Sequence, residues 1–118
     1  MHMLVLGAGL QGSACAFDLV QNPEVTEVRL ADIRFDHLPE FLAPYSGTRL
    51  IPTHLDVRDH DAVRALMRES DAAMSAIPYY FNLDLARLAA ETGTHFCDLG
   101  GNTEIVFQQK RFETKARE

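Results

Sequence analysis

Positive charge is scarce in this chain of 118 residues: 11 Lys and Arg stand against 17 Asp and Glu, a formal net charge of −6. That balance counts against nucleic acid and anionic membrane as main partners, because both demand a cationic face. Long apolar runs are also missing. None approaches the length of a membrane span, and no charged, apolar, small-residue leader suggests secretion. Cysteine is limited to Cys15 and Cys97, far apart and without metal-like neighbours, so the expectation is a reduced, cytoplasmic protein with two buried thiols. The five histidines show no H-x-x-x-H spacing, which leaves no metal site to propose, and His54 and His95 read as partly buried bystanders. No G-x-S-x-G, Walker lysine, C-x-x-C, internal repeat or low-complexity segment occurs.

What the chain does contain is a regular alternation. Its length allows one domain, residues 1–118, with a hydrophobic share of 47% sufficient for a core. Strands are expected at 3–6, 27–32, 49–56, 71–77 and 95–99. Helices are expected at 11–21, 60–69 and 81–92, with a polar helix running from about Asn102 to the end. Asp59 is placed to cap the second helix, whose buried stripe would be Val63, Leu66 and Met67. Leu85, Leu88 and Ala89 should face inward on the third, with Gly93 as its stop. The stretch 36–48 holds Pro39, Pro44 and Gly47 and is at best a short broken helix in a loop. Strands alternating with helices imply a doubly wound parallel sheet of order 3-2-1-4-5 with helices on both faces. That order puts Pro52 on an edge strand, where a missing N–H is tolerated.

The strand-to-helix junction at residues 7–12 reads GAGLQG. G-x-G-x-x-G alone is weak, but here a strand precedes it, a helix follows, and Asp32 closes the next strand about 20 residues on. Gly7 would allow the tight turn, Gly9 the approach of a pyrophosphate, and Gly12 close packing of helix on strand. Leu10 and Gln11 would offer unpaired amides of the helix N-terminus to the phosphates. Asp32 would accept the ribose hydroxyls and repel a 2′-phosphate, which favours NAD, whereas Arg34 could lie over that phosphate and admit NADP. Ile33 follows Asp32 at the same strand end. Asp56 and Val57 would meet the adenine edge, with helix capping as an equal alternative for Asp56. Ala76, Ile77 and Pro78 would let the ribose and nicotinamide pass. "PYYFN" (78–82) and "CDLGGN" (97–102) bring Tyr79, Tyr80, Asn82 and Asp98 toward the crevice, where packing or loop roles compete with chemistry. No residue is assigned a catalytic role.

"VLGAGLQGSACAFDL", "LADI", "LDVRD", "SAIPYYFN" and above all "CDLGGNTE" resemble the N-terminal domain of saccharopine dehydrogenase-like proteins, a group with lysine dehydrogenases and carboxynorspermidine-type enzymes. The resemblance covers nearly the whole chain. It implies hydride transfer between NAD or NADP and a carbon–nitrogen centre of a small amino-acid or amine substrate, with Gly7 to Gly12, Asp32, Asp56 and Ala76 to Pro78 at matching cofactor positions. It also implies a further strand and a substrate domain, so the chain reads as a fragment that is inactive alone. The fifth strand would then be an edge prone to pair in a homodimer. The competing class is a regulatory nucleotide-sensing module of the kind that gates potassium transport; the tyrosines and acid at the nicotinamide end speak for the enzyme.

Overall fold

A computed structural model describes residues 1–35 and 38–118. Its sheet is parallel throughout, in the order β3-β2-β1-β4-β5. The strands are β1 (His2–Leu6), β2 (Glu27–Asp32), β3 (Leu50–His54), β4 (Ala72–Ser75) and β5 (His95–Asp98). The helices are α1 (Leu10–Gln21), α2 (His60–Arg68), α3 (Asn82–Thr92), α4 (Thr103–Gln109) and α5 (Glu113–Arg117).

Alternation along β1 divides the core into two layers. Leu4 and Leu6 point to one face, where Val63 and Met67 of α2 and Leu85, Leu88 and Ala89 of α3 close over them. Val5 points to the other face, against Ala16 and Val20 of α1 and the buried Leu42 from the loop after β2. Leu66 is only half-buried at the margin of the first layer. Asp59 caps α2 by accepting the Ala62 N–H at 3.2 Å, and Gly93 ends α3 at φ 71°, in the left-handed region.

Several boundaries differ from the sequence reading. Strand β3 ends at His54 and β4 at Ser75, so Leu55–Val57 and Ala76–Pro78 leave the sheet as loops. Helix α1 starts at Leu10, one residue early, because Gly9 already adopts the extended backbone of a cap. The polar C-terminal helix is interrupted by a 3₁₀ turn at Lys110–Phe112, which lets its pieces pack against α3. In the stretch 36–48, residues 36 and 37 lie outside the described residues, and Ala43–Tyr45 forms one 3₁₀ turn. Cys15 is half-buried, and Cys97 is exposed rather than buried, since β5 is an edge strand and α1 packs over β1 and β2. Burial and the neighbouring Cys97 both push the Cys15 thiol up from its ordinary range. His54 and His95 are exposed as well. Among the described residues no helix is long and apolar enough to cross a membrane.

Candidate functional site

The carboxyl ends of β1, β2, β3 and β4 surround a single cavity of about 410 Å³. Its lining brings together Gly7, Gly9, Asp32, Ile33, Asp56, Val57, Ala76, Ile77 and Pro78, nine positions expected from the sequence. This is the crevice beside the topological switch, where strands to the left run 1-2-3 and strands to the right run 4-5.

The three loop glycines have different tasks. Gly7 sits at φ 104°, and a Cβ there would lie 2.8 Å from the Ala76 carbonyl oxygen. A Cβ on Gly12 would fall 1.7 Å from the Gly7 carbonyl oxygen. These two residues therefore serve the fold, holding strand, loop and helix in contact. A Cβ on Gly9 would meet nothing within 4 Å, so no protein atom requires glycine there. Gly9 lines both this cavity and the neighbouring hollow beside Leu10, so its bare backbone is open to a ligand in either.

The N-terminus of α1 supplies donors. Its first intrahelical bond is Ser13 N–H to the Gly9 carbonyl at 2.9 Å, and no side chain caps the end. The amides of Leu10, Gln11 and Gly12 thus precede the ladder without intrahelical partners, at the positive end of the helix dipole. Leu10 and Gln11 contribute through backbone only. The Leu10 side chain is 93% exposed, and its surroundings are a neighbouring hollow shared with Pro39 and Phe41.

Asp32 is half-buried and ties the glycine loop to β2: its Oδ2 accepts the Ala8 N–H at 2.7 Å and its Oδ1 the Arg34 N–H at 3.3 Å. A carboxylate has about four acceptor sites, so capacity remains toward the cavity. The Arg34 side chain is exposed and does not line the cavity. Asp56 turns out to be neither a helix cap nor a free acceptor. Its carboxylate takes the Arg58 backbone N–H at 3.0 Å and forks with the Arg58 guanidinium, Nη2 to Oδ2 at 2.7 Å and Nε to Oδ1 at 3.0 Å. These bonds hold the Asp56 pKa down to about 2 from an ordinary 3.8.

That shift carries a sign. The folded pKa is the lower one, so the stabilisation from this pair is complete above the unfolded value and is lost as pH falls from about 3.8 through about 2. A carboxyl-carbon NMR titration should place Asp56 near the lower figure, and Arg58→Ala should return it toward the ordinary range. An Asp56 midpoint that ignores Arg58→Ala would mean that the fork does not persist in solution.

After β4 and β5, Asp98 and Asn82 are engaged within the protein, while the two tyrosines stay at the surface. Asp98 accepts the Gly100 N–H at 2.7 Å and the Gln109 side-chain amide at 2.8 Å, which pins the double-glycine turn to α4. Asn82 is buried and accepts the Ser75 hydroxyl at 2.7 Å, joining the start of α3 to the end of β4. Tyr79 and Tyr80 are exposed and meet edge to face, with ring centroids 5.7 Å apart. The cavity lining also includes Arg58 and Phe81, which the sequence reading did not select. Arg58 could have been found from its place two residues after Asp56, the spacing of an Asx turn. Phe81 carries no comparable signal within its aromatic cluster.

The family described as "Saccharopine dehydrogenase NADP binding domain" matches residues 3–118. Among solved structures, apo saccharopine dehydrogenase (L-Glu forming) from Saccharomyces cerevisiae is 25% identical with a TM-score of 0.73, over 91% of this chain and 23% of that one. A probable dehydrogenase from Thermotoga maritima superposes with a TM-score of 0.72 at 20% identity, covering 99% of this chain and 34% of that one. Myo-inositol 2-dehydrogenase from Lactobacillus plantarum gives 0.72 at 18% identity, over 98% and 33%. The last two share the fold. The chain thus spans between about a quarter and a third of the length of these proteins. With its match running from the first strand to the last residue over a bare-backbone glycine loop, the chain belongs to the saccharopine dehydrogenase NADP-binding domain family, a Rossmann domain that binds NAD or NADP.

Proposed function

We propose that these 118 residues are the cofactor-holding part of an oxidoreductase that moves a hydride between a nicotinamide and a carbon–nitrogen centre of an amino acid or amine. The observation that carries the cofactor half is the empty space over Gly9 beside the unpaired amides of α1 and the Asp32 carboxylate. Gly9 and the α1 amides would receive the pyrophosphate, and Asp32 the adenosine ribose. Ala76 to Pro78 would form the wall along which the nicotinamide half lies. The hydride chemistry belongs to the cofactor. Substrate class rests on the family relation, and because the chain spans only about a quarter to a third of the relatives above, we assign the substrate contacts to the remainder of such a protein.

Calorimetry of this chain with NAD, NADP and ADP-ribose tests the cofactor half. A nicotinamide-fluorescence screen of the full-length protein against amino acids and amine–aldehyde pairs tests the rest. The chain alone should bind without turnover, because orienting a substrate against the hydride can supply about 7–11 kcal/mol of a barrier. Saturable reduction of cofactor by these residues alone would overturn that division of labour.

Asp32 favours NAD over NADP in this reading. Asp32→Asn keeps an oxygen for the Ala8 N–H but removes the charge. It should weaken NAD by about 1.5–3 kcal/mol, the worth of hydrogen bonds to a charged acceptor, and weaken NADP less or strengthen it. Equal losses for both cofactors would reduce Asp32 to a loop anchor.

A further inference from the structure

We infer that Arg58 determines recognition of the adenine base: its guanidinium, locked flat by Asp56, forms one wall of the slot that receives the purine, with Ile33 opposite. The inference rests on the dinucleotide reading of the cavity and names the residue that reads its base. Three observations meet here. First, Arg58 and Ile33 line the same cavity as Gly9 and Asp32, and the parallel pairing of Asp32 with His54 makes both loops leave the sheet at one end. Second, Ile33 is 48% exposed, an apolar side chain that lines this cavity and belongs to neither layer of the core. Third, Arg58 is exposed, yet its guanidinium is fixed by contacts from Nε and Nη2 to both Asp56 oxygens, and its amide by another.

A surface arginine with no task gains little from such a fork, and exposed ion pairs seldom add stability. A fixed planar cation, in contrast, suits the face of an aromatic ring, and an Arg guanidinium stacks where a Lys ammonium cannot. The fork also decides what Arg58 offers. Its Nε–Nη2 edge is taken by Asp56, so the face of the guanidinium rather than that edge is left for a ligand. Asp56 is accordingly a positioning residue for Arg58, and its own acceptor sites are largely taken. This accounts for an acid at the adenine end that cannot reach out to the base.

The test is a calorimetric series on the chain with NAD, NADP, ADP-ribose and UDP-ribose. The last keeps the pyrophosphate and both riboses but replaces the purine by a pyrimidine. Wild type should prefer ADP-ribose to UDP-ribose. Arg58→Ala should weaken NAD and ADP-ribose alike, by roughly 3- to 20-fold, leave UDP-ribose nearly unchanged and so erase the preference. Arg58→Lys should not restore it, and Asp56→Asn should reproduce part of the loss by releasing the guanidinium. Arg58 is exposed, so unchanged thermal unfolding of each variant shows that the fold is intact. An adenine preference that survives Arg58→Ala would overturn the inference, as would a loss confined to NADP, which would make Arg58 a phosphate ligand. Wild type that binds none of the four would instead remove the dinucleotide reading itself, and this inference with it.

Discussion

A Gly9→Val chain should unfold within a few degrees of the wild-type temperature and bind NAD or NADP at least about 100-fold more weakly, a difference of roughly 2.7 kcal/mol. The two halves of this expectation come from different neighbours. Within the protein, a Cβ at this position has nothing within 4 Å, and the backbone at φ −74° and ψ −163° is one that any residue adopts. The folding cost is that of replacing a good N-cap by a poor one, about 1 kcal/mol. Toward the ligand, the added side chain fills the space through which phosphate oxygens must come to reach the α1 amides. Each charge-assisted bond so prevented is worth about 1.5–3 kcal/mol, and two lost bonds exceed the expected effect. Thermal unfolding and calorimetry on the same preparation check both halves. A Gly9→Val chain that binds like wild type would take the pyrophosphate away from this loop.

The contrast among the three glycines was legible only in part from GAGLQG. Pattern and setting together predict a phosphate loop, and the strand before and helix after that this prediction needs are both present. Pattern and setting also predict the topology. Val and Leu runs separated by helix-period stretches admit few right-handed arrangements, and the order β3-β2-β1-β4-β5 is the one realised. Side-chain commitments were not legible. Nothing in "LDVRD" says that Asp56 turns back on Arg58, since an Asx turn and a ligand-facing carboxylate use the same residue at the same strand end. Asp98 was equally ambiguous until Gln109, eleven positions later on α4, was seen to take its second oxygen. Cys97 failed for a different reason. An alternating strand looks buried in sequence whether or not a helix lies over it, and β5 has α3 against one face while Cys97 points to the other.

The largest stability effect is expected from one methyl group at Gly12. In Gly12→Ala the new Cβ would stand 1.7 Å from the Gly7 carbonyl oxygen and 2.7 Å from its carbon, well inside any contact distance. Relief requires that either the turn or the helix move, and both are held. Gly7 donates to the Ala31 carbonyl at 2.7 Å, and space for it is bounded by the Ala76 backbone. Helix α1 is anchored by buried Ala16 and Val20 in the second core layer, and the Ser13 hydroxyl bonds the Ala8 carbonyl at 3.0 Å. Overpacking against backbone rather than a flexible side chain belongs to the severe class. The expected loss is about 3–5 kcal/mol from a total of roughly 5–15 for a domain of this size. The unfolding temperature should fall by more than about 10 °C. Urea unfolding of Gly12→Ala beside Gly9→Val separates the two roles: the first variant should be crippled as a fold, the second only as a binder. Were Gly12→Ala to lie within about 1 kcal/mol of wild type, within the reach of ordinary surface substitutions, the helix would not be seated against the glycine turn. The α1 amides would then lose the support that aims them at the cavity.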